Sequence, residues 1–175
     1  MDRWFGTEGR DCCAICSLAN LILIKYNDML GASRMYFRGL IHPLTTPTGN
    51  VFLSTIPELV SFATNGAYVA RLYTSETLVT FPNEFAMEVY SSEQYAQMQS
   101  LADRLVKEGA IEIGDEFDVD SPCLILVPHP RSELGHALVV VAPNLYLDNG
   151  MLSTIDTDFH SEGVSGVVSL ERALR

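Results

Sequence analysis

The sequence predicts an α+β fold in which a buried N-terminal helix packs on a C-terminal antiparallel β-sheet, all within one domain over residues 1–175. Three observations predict it. Residues 12–26, CCAICSLANLILIKY, are apolar nearly all round at helical spacing, the pattern of a helix without a solvent face. The last third instead carries short β-branched runs, CLILV at 123–127 and HALVVVA at 136–142, bounded by turn residues. Helical segments followed by a run of strands is the α+β order. At 175 residues, 47% hydrophobic and 19% charged, the chain can bury a core without metal or disulfide staples and is too apolar for a disordered segment.

Along the chain, Asp11 is the expected N-cap of the first helix, with Ala14, Leu18, Leu21, Ile22 and Lys25 at helical spacing. Gly31 and the stretch His42–Asn50, HPLTTPTGN, read as loop. Thr55 with Glu58 three residues on has the form of a capping box, and Pro57 suits a first turn. The helix IPELVSFATN should therefore stop at Gly66. Residues 67–73, AYVARLY, alternate like a strand. Ser91 or Ser92 opens a polar helix ending at Gly109, with Tyr95, Met98, Leu101, Ala102 and Leu105 on its packed face.

The acidic run 112–120, EIGDEFDVD, reads as a solvated loop rather than a metal site. After the strands at 123–127 and 136–142, Pro143-Asn144 marks a turn and Leu145–Asp148 a short strand. Asn149-Gly150 is a strong hairpin signal, followed by MLSTIDT at 151–157. Ser169-Leu170-Glu171 reads as the start of a last short helix capped by serine.

Charge and cysteine usage narrow the function classes. The net charge is −11, and 11 Lys and Arg are scattered along the chain, a poor footprint for nucleic acid or an anionic membrane surface. No apolar run approaches a membrane span, and MDRWFGTEGRDCC lacks the apolar core of a signal peptide. Of four cysteines, Cys12, Cys13 and Cys16 crowd together and Cys123 is remote. That spacing suits reduced thiols in the cytoplasm better than a disulfide framework. No cofactor or metal is expected: a zinc site on Cys12, Cys13 and Cys16 lacks a second ligand cluster. Cys13-x-x-Cys16 has redox-pair spacing, but the strand such a motif needs before it is missing.

The constellation that carries chemistry begins at Cys13. A cysteine at a helix N-terminus meets the positive end of the helix dipole and unpaired N–H groups, which favour the nucleophilic thiolate. Such a nucleophile needs a base and an orienter for that base. His136, after Gly135, is the histidine on a clear strand, in the other structural half. His129 between two prolines, His160 near Asp158 and His42 before Pro43 read as surface loop. Asp148 is the preferred orienter, reachable if the Pro143-Asn144 turn is tight; Asp156 is the alternative and Asn149 a lesser one. Either carboxylate would accept the Nδ1 proton of His136 and hold the base tautomer. Cys12 is a second nucleophile candidate, Cys16 packs inward one turn along, and Trp4 and Phe5 either wall the cleft or cover the helix.

The segment CAICSLANLI at 13–22 resembles the nucleophile helix of papain-like cysteine peptidases, closest to the group that cleaves bacteriocin leaders after double glycine. STIPELVSFATNGAYVARL, PCLILV followed by GHALVVV, and the closing VVSLERAL resemble that group's later segments in order. The resemblance implies a papain-like fold, Cys13 as nucleophile and Leu18-Ala19 as core. It departs at Thr7, where the group has a Gln that supplies an oxyanion donor, and at Ala14-Ile15, where it has Gly-Pro. The implied activity is a cysteine hydrolase or amide-forming acyltransferase acting through an acyl-enzyme on a peptide or carrier-bound acyl substrate. The missing Gln motivates the other expectation, a catalytically silent module that binds a peptide or carrier protein in the same cleft. The chain carries no transporter portion and too few residues before Cys13 for an inhibitory propeptide.

Overall fold

The computed structural model describes residues 4–7, 12–74, 90–114, 119–128, 135–154 and 164–174. The first helix, α1 (Cys13–Tyr26), is buried from Ile15 through Leu23. Ile15, Leu18, Leu21 and Ile22 are fully enclosed, each worth roughly 1.5–3 kcal/mol of burial. Asn27 stops the helix in the left-handed region, its N–H donating to the Leu23 carbonyl.

A second helix, α2 (Met29–Gly39), occupies a stretch where Gly31 was expected in a loop. Asp28 caps it, accepting from the Gly31 N–H at 2.9 Å and from the Tyr68 hydroxyl at 2.6 Å. A Cβ at Gly31 would overlap the Asp28 carboxylate, so this glycine makes room for the cap instead of breaking the helix. A 3-10 turn over Leu53–Thr55 leads into α3 (Ile56–Thr64). The capping box expected at Thr55 and Glu58 does not form. Thr55 is already helical and its hydroxyl donates to the Phe52 carbonyl, whereas an N-cap needs extended backbone. Pro57 does stand in the first turn, and Asn65 and Gly66 close the helix with positive φ.

β1 (Tyr68–Thr74) and α4 (Ser92–Lys107) match their expected ranges closely. Ser91 and Gln94 form a reciprocal capping box, and Met98, Ala102 and Leu105 are the buried face. β2 (Ile111–Ile113) overlaps the start of the acidic run read as loop, pairing parallel with β1 through Leu72 and Ile111. Residues 115–118 of that run lie outside the described residues. β3 (Cys123–Pro128), β4 (Gly135–Ala142), β5 (Leu145–Asp148) and β6 (Met151–Thr154) form an antiparallel meander. Residues 155–157 of the expected last meander strand are outside the described set. Asn149 and Gly150 both have positive φ, as their hairpin signal requires.

The clearest correction concerns the C-terminus. Residues Gly166–Arg172 are a strand, β7, and not a helix opened by Ser169. It pairs antiparallel with both β1 and β3, giving the sheet order β2-β1-β7-β3-β4-β5-β6. Val167, Val168 and Leu170 are buried, because a strand inside a sheet has both faces covered. The fold is therefore α+β with a mostly antiparallel sheet, to which β1 and β2 contribute as well as the C-terminal strands.

Alternation sorts the sheet between two cores. Leu124, Leu126, Ala137, Val139, Leu147 and Val168 pack with α1, α2 and α3. Ile125, Val127, Leu138, Val140, Tyr146 and Val167 form a second cluster. Among the described residues no helix is long and apolar enough to cross a membrane. The interior position of β7 carries a prediction. Leu170→Ala should lower unfolding free energy by about 2–5 kcal/mol in urea titration with an unchanged slope. A loss below about 1 kcal/mol would place Leu170 at the periphery, as a terminal helix would have it.

Candidate active site

Cys13 is the first residue of α1 and is partly exposed, whereas its neighbours Cys12 and Cys16 are fully buried. The N-cap is Cys12 itself, and its side chain makes no capping bond to the helix. Its sulfur lies 3.5 Å from that of Cys16 and 3.8 Å from the Thr7 carbonyl oxygen. Asp11, the expected cap, lies outside the described residues. The Cys13 sulfur thus stands at the positive end of a 14-residue helix, where negative charge is favoured. All four cysteines are free thiols.

The β-sheet supplies the partners. Pro143 and Asn144 make the tight turn between β4 and β5, with Asn144 at φ 63°. The resulting register sets Val139 opposite Leu147. Continued by one residue, it sets Asp148 opposite Leu138, whose same-face neighbour along β4 is His136. Diagonal neighbours of this kind are within reach of long side chains. The His136 Nε2 lies 2.7 Å from Asp148 Oδ1, a charge-assisted hydrogen bond. The carboxylate is therefore on Nε2, not on Nδ1 as expected, because Asp148 arrives from the neighbouring strand on that side of the ring. The Cys13 sulfur faces the same ring closely enough to raise its pKa. With Nε2 engaged by Asp148, Nδ1 is the nitrogen left for sulfur.

The electrostatics follow from these contacts. The His136 pKa is raised from 6.5 to about 10. Its hydrogen bond with Asp148 is the largest cause and its hydrogen bond with Cys13 the next, while burial opposes both. Burial loses although only 19% of the His136 side chain is exposed, because two acceptor partners outweigh desolvation. The ring is thus an imidazolium at neutral pH, poised between a carboxylate and a sulfur.

Other candidates separate from this group. Asp156, His129 and His160 lie outside the described residues. Asn149 occupies the hairpin turn after Asp148 with φ 49°. His42 is buried, not at the surface. Its Nδ1 accepts from the Leu44 N–H at 3.0 Å, its ring meets Phe62 edge-on, and burial lowers its pKa. Cys123 is sealed in the sheet, and burial pushes its thiol up to about 12. Among the described residues no group of three His, Cys, Asp or Glu side chains is arranged to hold a metal ion.

Two polar residues on α1 went unremarked in the sequence. Asn20 is buried and grips Phe5 through both amide atoms, accepting from its N–H at 2.8 Å and donating to its carbonyl at 2.9 Å. Phe5 stacks on Tyr36 of α2, so it covers the helices. Ser17 is buried and donates to the Ala137 carbonyl at 3.1 Å. The signal was available: a polar residue inside an all-apolar helix must find a hydrogen-bond partner. Comparison with protein-family models, curated proteins and solved structures returns no match to this chain.

The ring's titration is directly measurable. The imidazole resonances of His136 should titrate near pH 10, and in Asp148→Asn they should fall back toward 6.5. The folded value lies above the ordinary one, so the stability contributed by His136 is whole below pH about 6.5. It is lost as pH rises through about 10. A wild-type midpoint near 6.5 would remove the imidazolium from the site.

Proposed function

We propose that this chain is a papain-like cysteine enzyme, a hydrolase or amide-forming acyltransferase that works through an acyl-enzyme on a peptide, amide or thioester. The observation that carries the reading is the convergence of Cys13 and Asp148 on the two sides of the His136 ring. A helix-borne sulfur, a strand-borne imidazole and a carboxylate on the next strand are the parts that thiol acyl chemistry needs. The resemblance of residues 13–22 to a nucleophile helix supports the same roles.

In this reading the nucleophile is the Cys13 sulfur, with its proton carried by His136. Sulfur attacks the carbonyl carbon, forming a C–S bond as the carbonyl π electrons move to oxygen. Collapse of the adduct breaks the bond to the leaving group, which takes the proton from Nδ1 of His136. The thioester is then attacked by water, or by an amine, which gives its proton back to Nδ1, and collapse of that adduct breaks the C–S bond, releases the acid or amide and restores the Cys13 sulfur. Asp148 keeps the Nε2 hydrogen directed at itself, fixing the ring plane through both steps. The Cys13 N–H at the helix start supplies one donor to the oxyanion. Asn20 does not replace the absent Gln, since its amide is committed to Phe5. Loss of one such donor costs about 100- to 1000-fold in rate, which favours activated acyl donors such as thioesters over plain peptides.

Iodoacetamide labelling and intact-mass analysis test this. Cys13 should alkylate ahead of the three buried thiols, at a lower pH in the wild type than in His136→Ala. Incubation with a panel of aryl esters and acyl thioesters should add an acyl mass that Cys13→Ala abolishes. Alkylation indifferent to His136, with no acyl adduct, would instead assign the cleft to the silent peptide- or carrier-binding module.

A further inference from the structure

We propose that Ser17 is a positioning residue that sets the approach of the Cys13 sulfur to the His136 ring, by pinning the nucleophile helix to the backbone of the histidine strand. The inference rests on the reading of Cys13 and His136 as a reacting pair, and adds to it the element that holds the pair in register. Ser17 lies one helical turn after Cys13, so the two share a stripe of α1. Ala137 directly follows His136 on β4. The stripe therefore makes two attachments to the same strand: Ser17 to the Ala137 carbonyl at 3.1 Å, and Cys13 to the His136 ring.

The spacings explain why this bond matters. One helical turn advances about 5.4 Å. One strand residue advances about 3.3 Å. The Ser17 bond is direct and made to backbone, so it fixes the helix along the strand with no side-chain slack at Ala137. The Cys13 bond is made to a side chain and can adjust only within the reach of one ring. Ile15, Leu18 and Leu21 are fully buried and hold α1 against the core. A buried hydroxyl with one acceptor adds a directional tie to that packing. A shift of α1 along β4 would stretch or bend the Ser17 bond and would move the sulfur relative to the ring with it. Near-attack geometry is lost over displacements of about 1 Å.

The test compares the pH profile of Cys13 alkylation by iodoacetamide in wild type, Ser17→Ala, Ser17→Thr, Thr64→Ala and His136→Ala. Thr64 is a matched control. Its hydroxyl is equally buried, donates at 2.7 Å to the Val60 carbonyl within α3 and accepts from the Tyr68 N–H at 3.2 Å, away from the site. Ser17→Ala should lower the alkylation rate at neutral pH by about tenfold, the worth of one buried hydrogen bond, and move the profile toward that of His136→Ala. Thr64→Ala should lower thermal stability by a similar amount and leave the profile in place. Ser17→Thr, which keeps the hydroxyl, should restore the wild-type profile.

Each other outcome overturns something specific. A Ser17→Ala profile identical to wild type, with wild type distinct from His136→Ala, removes the positioning role and leaves the reacting pair standing. A shift of equal size in Thr64→Ala reduces Ser17 to general stability. A wild-type profile already identical to His136→Ala removes the pair itself. Should Ser17→Thr be overpacked and unfold, the comparison of Ser17→Ala with Thr64→Ala still decides between the first two.

Discussion

The structure depends on the complete burial of α1. A helix of 14 residues whose sides are nearly all apolar has no stable place at a surface. The chain answers by laying the sheet along one side of it and α2 along another. Only the ends of such a helix can reach solvent, and the N-terminal end carries the partly exposed Cys13. The location of the Cys13 sulfur is thus a consequence of packing. The same burial confers chemical character. A helix end held at the rim of a core presents its dipole with less solvent screening than a free helix would. The sulfur of Cys12, one residue earlier, is fully enclosed and turned toward Cys16. Two adjacent thiols therefore have opposite fates, decided by which side of the helix start each occupies.

The imidazole sits where opposing electrostatic demands meet. Burial of a ring as enclosed as His136 favours its neutral form, as it does at His42. At His136 the order is reversed, because the ring has an acceptor on each side. His42 has Phe62 edge-on and one backbone N–H, neither of which stabilises a positive charge, and the charge of Glu58 favours it less than burial opposes it. The two histidines share comparable burial and differ in partners, so the partners account for the opposite directions. Asp148 is nearly half exposed, so one oxygen faces the ring while the rest of the carboxyl group meets water.

What was legible in the sequence follows the range of the interactions involved. The hairpin at Asn149-Gly150, the cap at Ser91 and the alternating strands are set by residues within a few positions of each other. They were read correctly. β7 was not, because Ser-Leu-Glu-Arg has helical local preference and its strand state comes from pairing with β1 and β3, which are distant in the chain. α2 is hidden in the sequence because Gly31 looks like a breaker, yet it stands where a Cβ would strike the Asp28 carboxylate. The site shows the same division. Residue types and their placement on elements pointed to Cys13, His136 and Asp148. The ring nitrogen that meets the carboxylate depends on the side from which β5 approaches, a matter of tertiary geometry that no local pattern encodes.

One further constraint joins these parts. The segment Trp4–Thr7 runs between α1 and the hairpin that follows Asp148. Asn20 holds Phe5 from the helix side. On the sheet side, a Cβ at Gly150 would come within 3.0 Å of the Phe5 carbonyl oxygen, and one at Gly6 within 3.3 Å of the Asn149 oxygen. Glycine at 150 thus answers two needs at once, a positive φ for the turn and room for the segment laid against it. Because that turn begins at the residue after Asp148, the backbone carrying the carboxylate is braced by chain that the helix itself grips. The sulfur, the ring and the carboxylate come from three separate elements. Ser17 ties the first element to the second, the β4–β5 register ties the second to the third, and the Phe5 segment ties the third back to the first. A closed loop of this kind leaves no single element free to drift without straining the other two. That is the condition for holding reacting groups to within a fraction of an ångström.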